Sequence, residues 1–320
     1  MPDDQQKGFS LYNYDRHPTV EIDRGEYRKI RDAKAGLGEI VRSETKFDDM
    51  MENYVELEQS ILGFSLRHLA FSLYSHLDIQ IMREQISRRL LNMLATVRLY
   101  QDGLKGHSRR ILTTSDSKAM LGILKDGSHQ PMEYRIVYAL RNFSQHVDPA
   151  LTSIAISKGW DMLRNEEDER IKKDRAYHIV IPKIDCVRLS KERDIPSDVK
   201  AALEKMGPAA DVMDHVRKCI EHLGEINSTF RKLAKPRADI WESILRQAMQ
   251  RFVGAQPAGE KPPTVVFAGP TEIEKGSEER VEIFEEFFEY WKYLVRKNRS
   301  QVNFSRRYVQ WAPESGKKKK

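Results

Sequence analysis

The sequence predicts a mainly α protein: an antiparallel helical bundle followed by a further, mostly helical C-terminal region with a few short strands. Three observations carry this. Apolar residues recur every three or four positions over long windows, charged residues make up 32% of the chain, and turn formers are few, with 17 glycines and 13 prolines in 320 residues. The connections between the first periodic segments are short, as antiparallel neighbours in a bundle require.

Taken in order, residues 1–45 read as an N-terminal extension, beginning with the polar "MPDDQQKGFS". From Lys46 the spacing predicts two long amphipathic helices, one marked by Leu62, Leu66, Leu69 and Leu73, the next by Met82, Ile86, Leu90, Leu94 and Val97. A shorter third helix fits "SDSKAMLGILKDG", Ser115 to Gly127, with Thr114 or Ser115 as its cap and Gly127 as its end. A fourth runs from Met132 to Val147, where Asp148-Pro149 stops it because the residue before proline is pushed out of the helical region. Residues 46–150 thus form one bundle.

Residues 151–253 form a mixed, mainly helical region. In it "AYHIVIPKIDCVRLS", Ala176 to Ser190, has the composition of two short strands, although Pro182 interrupts the run. Met213, Val216, Ile220, Leu223 and Phe230 mark a long helix, and "ADIWESILRQAMQRF" a second. Residues 254–263, "GAQPAGEKPP", read as a linker. Residues 264–320 hold a short apolar stretch, "TVVFAG", a final helix bearing Val281, Phe284, Phe287, Phe288, Trp291 and Leu294, and a basic tail.

Charge and cysteine content narrow the function classes. Lys317 to Lys320 supply four of the +6 net charges, so charge alone does not indicate a strongly basic nucleic-acid binder. Cys186 and Cys219 lie far apart without metal-ligand spacing, which argues against a zinc site or a disulfide framework and fits a reducing compartment. With neither a signal-peptide pattern nor an apolar run of membrane-spanning length, the expected location is cytoplasmic and no membrane partner is expected. The sequence has no GxxxxGK[ST] loop, GxGxxG after a strand, GxSxG elbow or HExxH pair, so no cofactor and no metal is expected.

The stretch "YALRNFSQHVDP", Tyr138 to Pro149, is the most suggestive one. On a helix, Ile136, Leu140, Phe143 and Val147 share one face and form core, while Tyr134, Tyr138, Asn142 and His146 follow each other in steps of four, with Arg141 and Gln145 alongside. His146 would sit in the last turn, where the helix dipole favours a protonated imidazole by roughly 0.3–1 kcal/mol. Arg141 keeps its charge, and its planar fork matches phosphate oxygens. A proton-transfer group and a cation suffice to cleave RNA, which carries its own nucleophile in the 2′-hydroxyl.

"RNFSQH" resembles the Arg, polar residue, three residues, His pattern of the HEPN superfamily. "RRLLNMLATVRLYQD", Arg88 to Asp102, followed by "YALRNFSQH" also resembles bacterial proteins of unknown function with an "LRNYxQH" signature. The likeness covers about a third of the chain and nothing after about residue 160. It implies a HEPN-like bundle and a metal-independent endoribonuclease acting on RNA as a homodimer, in a toxin or phage-defence setting. Arg141 and His146 would be catalytic, supported by Asn142, Tyr138 and, from an earlier helix, Asn92, with Asp102 and Glu84 as alternatives to Asn92. A non-catalytic helical interaction protein, or a module that binds RNA or nucleotide without cutting it, stays open beside this.

Overall fold

The computed structural model describes residues 8–125, 129–146, 151–164, 171–271 and 280–299, except for the side chains of His146 and of residues 159–164 and 171–177. The described residues are mainly helical. Eight helices occur among them: α1 (Arg24–Phe71), α2 (His76–Ile111), α3 (Thr114–Ile123), α4 (Met132–His146), α5 (Cys186–Ser190), α6 (Ser197–Lys205), α7 (Val212–Gly254) and α8 (Glu285–Lys297). Seven strands form two small antiparallel sheets: β1 (Phe9–Tyr12), β2 (Val20–Ile22), β6 (Val266–Pro270) and β7 (Val281–Ile283) in the order β2-β1-β6-β7, and β3 (Ser153–Arg164), β4 (Ile171–Asp185) and β5 (Ala209–Asp211) in the order β3-β4-β5.

The chain divides into two compact units, each gathered from separate segments, and the divisions fall inside α1, α2 and α7. The first unit takes residues 1–48, 101–124 and 227–299. Its sheet joins strands from distant parts of the sequence, with Leu11 opposite Ala268 and Val266 opposite Ile283. Leu37, Phe47, Leu104, Phe230, Phe252, Phe267 and Phe288 fill its core, each buried side chain contributing about 1.5–3 kcal/mol. A reciprocal box starts α1: the Glu26 N–H donates to Asp23 Oδ1 at 2.7 Å, and the Asp23 N–H donates to Glu26 Oε2 at 3.1 Å. The C-terminal end of α8 is tied down by Arg231, which donates to Glu44 Oε1 at 2.7 Å and to the Asn298 carbonyl at 2.8 Å.

The second unit holds residues 49–100 and 125–226, with α4, α5, α6 and the β3-β4-β5 sheet. Met82, Ile86, Leu90, Leu94 and Val97 of α2 are buried there, as their spacing predicts. The α1 stripe is different: Leu66 and Leu69 are exposed, and the buried positions are Tyr54, Leu57, Ile61, Phe64 and His68. Both series keep helical spacing, so the end of α1 carries two apolar faces and only one is used as core. A part-buried ion pair braces this unit, with Arg217 donating to both Glu58 oxygens at 2.7 and 3.0 Å while Tyr54 Oη donates to Glu58 at 2.6 Å.

Several elements differ from the spacing-based reading. The helix expected after Lys46 begins at Arg24, because the capping box lies at Asp23. The two helices expected across Pro236 are one helix, α7. Proline inside a helix costs about 3 kcal/mol, and the continuous buried face of Phe230, Ala234, Ala238, Leu245 and Phe252 offsets it. The two short strands expected over Ala176 to Ser190 are instead β4 and α5, whose first turn is capped by Asp185 Oδ1 accepting from the Arg188 N–H at 2.8 Å. Val281 belongs to β7 and not to the last helix. Helix α3 is capped by Thr113 and ends at Ile123; the expected Gly127 end, the Val147 to Pro149 stop and the lysine tail lie outside the described residues.

Candidate functional site

Helix α4 belongs to the second unit and carries the Arg141 motif. Its core face is Ile136, Val137, Leu140 and Phe143, all buried. Leu140 and Phe143 close against Thr152, Ile184, Asp185, Arg188 and Leu189, and the Arg188 guanidinium lies 5.5 Å from the Phe143 ring. Arg135 anchors the helix from another side by donating to both carboxylate oxygens of Asp198 at the start of α6. Near its N-terminal end, Lys218 Nζ donates to Glu133 at 2.8 Å and holds that carboxyl below its ordinary range.

These anchors fix the rotation of α4 and leave Tyr138, Arg141 and Asn142 half-buried and Gln145 exposed. Tyr138 Oη accepts from Arg98 Nη1 at 3.2 Å, and the Arg98 guanidinium stands 5.6 Å from the ring. Arg141 Nη1 donates to the neighbouring Asn142 Oδ1 at 3.0 Å. Its Nε is buried and has no hydrogen-bond partner among the described residues. His146 is the last residue of α4, and its side chain lies outside the described residues.

The structure thus brings Arg141 together with Asn142 and places Tyr138 one turn away under Arg98. The expected partners from earlier segments are engaged elsewhere or turned outward. Asn92 is exposed and shares no described hydrogen bond with Arg141, because the neighbouring Met93 and Leu94 take the inward positions. Glu84 accepts from Gln80 at 2.9 Å, and Asp102 lies 3.8 Å from Lys105. Tyr134, expected beside Tyr138 on the polar face, is buried with its ring edge-on to His222 of α7 at 5.7 Å. Four residues advance a helix by slightly more than one turn, so a series of such steps drifts from one face to the next.

Arg98 is the residue that sequence reasoning missed. It lies inside the quoted "RRLLNMLATVRLYQD" segment, but its partner Tyr138 is on another helix, and spacing within one helix gives no sign of that pairing. Among the described residues no group of three or more His, Cys, Asp or Glu side chains is arranged to hold a metal ion, and no helix is long and apolar enough to cross a membrane. Cys186 and Cys219 are buried free thiols, and burial pushes the Cys219 thiol up to about 12. Comparison with protein-family models, with curated proteins and with solved structures finds no match.

Proposed function

We propose that the protein is a metal-independent endoribonuclease of HEPN type that acts on RNA as a homodimer, with Arg141 and His146 as its reacting pair. The observation that supports this most is the state of Arg141. Its Nε is buried without a hydrogen-bond partner among the described residues, and Nη1 makes only the local bond to Asn142. Buried polar groups are nearly always paired, so a guanidinium with an unused buried donor is set up for an anion that brings its own acceptors. A phosphate diester supplies them.

In this reading the RNA 2′-hydroxyl gives its proton to the His146 imidazole, O2′ attacks the adjacent phosphorus, and the bond from phosphorus to O5′ breaks. The departing oxygen takes up a proton, leaving a 2′,3′-cyclic phosphate and a 5′-hydroxyl end. Arg141 stabilises the negative charge that builds on the non-bridging oxygens. Asn142 orients the guanidinium, and the Tyr138–Arg98 pair flanks the same helix face. The test is cleavage of total RNA by the purified full chain in excess EDTA. Cleavage should persist, leave cyclic phosphate ends, and vanish in both Arg141→Ala and His146→Ala. Activity that survives either substitution, or that chelation removes, rejects the mechanism.

A second reading, a non-catalytic interaction protein, is favoured by the unused apolar face around the end of α1. Leu66, Leu69, Phe71, Leu77 and Ile81 are all exposed there. Exposed apolar groups in such number mark association surfaces. If Leu66→Glu with Leu69→Glu abolishes self-association or partner capture while no RNA cleavage is found in the parent, this reading replaces the first.

A further inference from the structure

In the second unit, His68 lies fully buried in the last turn of α1, and its Nδ1 is 2.8 Å from Nδ1 of His178 on β4. One turn earlier, Ser65 Oγ accepts from the Val180 N–H at 3.0 Å. These two contacts fasten β4, and the β3 strand paired with it, to the end of α1.

Two imidazole nitrogens at that distance require one N–H and one bare lone pair. The rest of the geometry decides which ring holds which. Nε2 of His68 is buried and has no hydrogen-bond partner among the described residues. An N–H there would be a buried donor without an acceptor, which is costlier and rarer than an unfilled lone pair. The proton of His68 therefore belongs on Nδ1, where it is donated to the bare Nδ1 of His178, and half-buried His178 carries its own proton on Nε2.

This arrangement has no good place for another proton. A second proton on His68 must go to Nε2, which has no acceptor, and a second proton on His178 must go to Nδ1, which removes the acceptor that holds the pair. The groups facing His68 do not help. From β3 comes Lys158, the register partner of His178, with its Nζ 5.3 Å from the Tyr74 ring; Tyr74, from the connection between α1 and α2, packs edge-on to His68 at 4.5 Å. The electrostatic influences on His68 are His178 and Lys158, both of which oppose a positive charge on it.

We propose that the His68–His178 pair is a proton-sensitive clasp, which holds the β3–β4 strands on the end of α1 while both rings are neutral and releases them when the pair takes up a proton. The direction follows from the burial of His68, which together with His178 and Lys158 keeps that ring below its ordinary titration range. A ring that is harder to protonate when docked weakens docking as pH falls. The clasp is complete above about pH 6.5, and below that value each proton taken up on opening shifts the docking equilibrium by about tenfold per pH unit.

The experiment uses the full chain labelled with ¹⁵N-histidine, together with hydrogen exchange read by mass spectrometry. At pH 8 the ring spectra should show His68 protonated at Nδ1 and His178 at Nε2. Between pH 7 and pH 5.5, after correction for intrinsic exchange, protection of the peptide carrying Val180 should fall, by up to about tenfold, relative to a peptide carrying buried Val216 of α7. His178→Ala should show the lowered protection already at pH 8. A His68 ring protonated at Nε2 at pH 8, or a Val180 to Val216 ratio that does not change with pH, overturns the proposal, and both are read on the unmodified chain should the variant fail to fold.

Discussion

Arg141→Ala and Arg217→Ala remove the same side chain from two helices of one unit, and the structure gives them opposite consequences. Among the described residues Arg141 donates one hydrogen bond, to its neighbour Asn142, worth about 0.5–1.5 kcal/mol and less at a half-buried site. Against this, alanine gains a few tenths of a kcal/mol in helix propensity, and removing a buried, unpaired Nε relieves a desolvation cost of about 1 kcal/mol. The net change lies within about 1 kcal/mol of zero. Arg217 donates two charge-assisted bonds to Glu58, and the two side chains are only 26% and 19% exposed. Its removal leaves the Glu58 carboxylate with the Tyr54 hydroxyl and without its cation, a loss of about 2–4 kcal/mol. Urea denaturation of both variants beside the parent, followed by the RNA assay on each, checks the pair. Arg141→Ala should keep the parental midpoint and lose cleavage, while Arg217→Ala should shift the midpoint and keep cleavage under conditions where it is folded. An Arg141→Ala protein destabilised by more than about 2 kcal/mol would refute the reasoning, because the residue would then be a structural brace and its unused buried donor no sign of a ligand.

Gly36→Ala should destabilise by about 1 kcal/mol although alanine is the better helix former, since a Cβ there meets the Trp241 ring at 2.6 Å and overpacking outweighs the propensity gain; in a Trp241→Ala background the same change should stabilise by about 1 kcal/mol, and an unchanged sign in a double-mutant cycle would sink the packing argument. Glu39, which accepts from His107 Nδ1 and Arg110 Nε at 2.7 Å each and from Arg42 at 2.6 Å, has its carboxyl pulled down to about 2 by these partners against the cost of burial. Its contribution is therefore present above about pH 4.5 and lost as pH falls toward 2, and Glu39→Gln should flatten denaturation midpoints in that window by about 1 kcal/mol, a figure reduced because Arg42 and Arg110 are solvent-exposed. Burial holds His107 below its ordinary range, so a separate loss of stability should begin below about pH 6.5.

Periodicity made the cores of α2 and α4 legible, because Met82, Ile86, Leu90, Leu94 and Val97 in the one and Ile136, Leu140 and Phe143 in the other recur on one face. It failed at the end of α1, where Leu62, Leu66 and Leu69, with Leu73 just beyond the helix, are as regular as the series that is buried. Two apolar faces on one helix are equivalent to any rule that counts spacing, and only the packing partner decides between them. The first-unit sheet was unreadable for a related reason: β1 and β2 are four and three residues long, and β1 pairs with β6 near the other end of the chain. Pro182 shows how a local rule can hold while the inference from it fails. Proline is excluded where a strand is paired on both sides, yet β5 pairs only with Lys183–Asp185, so β4 at Pro182 is an edge on that side and tolerates it.

The candidate site divides in the same way. Arg141, Asn142 and Tyr138 are near neighbours on one helix, so residue type and spacing were enough to group them. What surrounds them is set by tertiary pairing: Arg98 with Tyr138, Asp198 with Arg135, His222 with Tyr134. Those pairings settle which way α4 faces and therefore which polar groups are spent and which are left. The informative property of Arg141 is of this second kind, since an unused buried donor exists only relative to neighbours that do not reach it. The same holds for His68 and His178, two ordinary histidines in sequence that constrain each other's protons once the fold sets them 2.8 Å apart. A motif can nominate a residue for chemistry, but whether its hydrogen-bonding capacity remains available for a ligand is decided by the packing of segments that the motif does not contain.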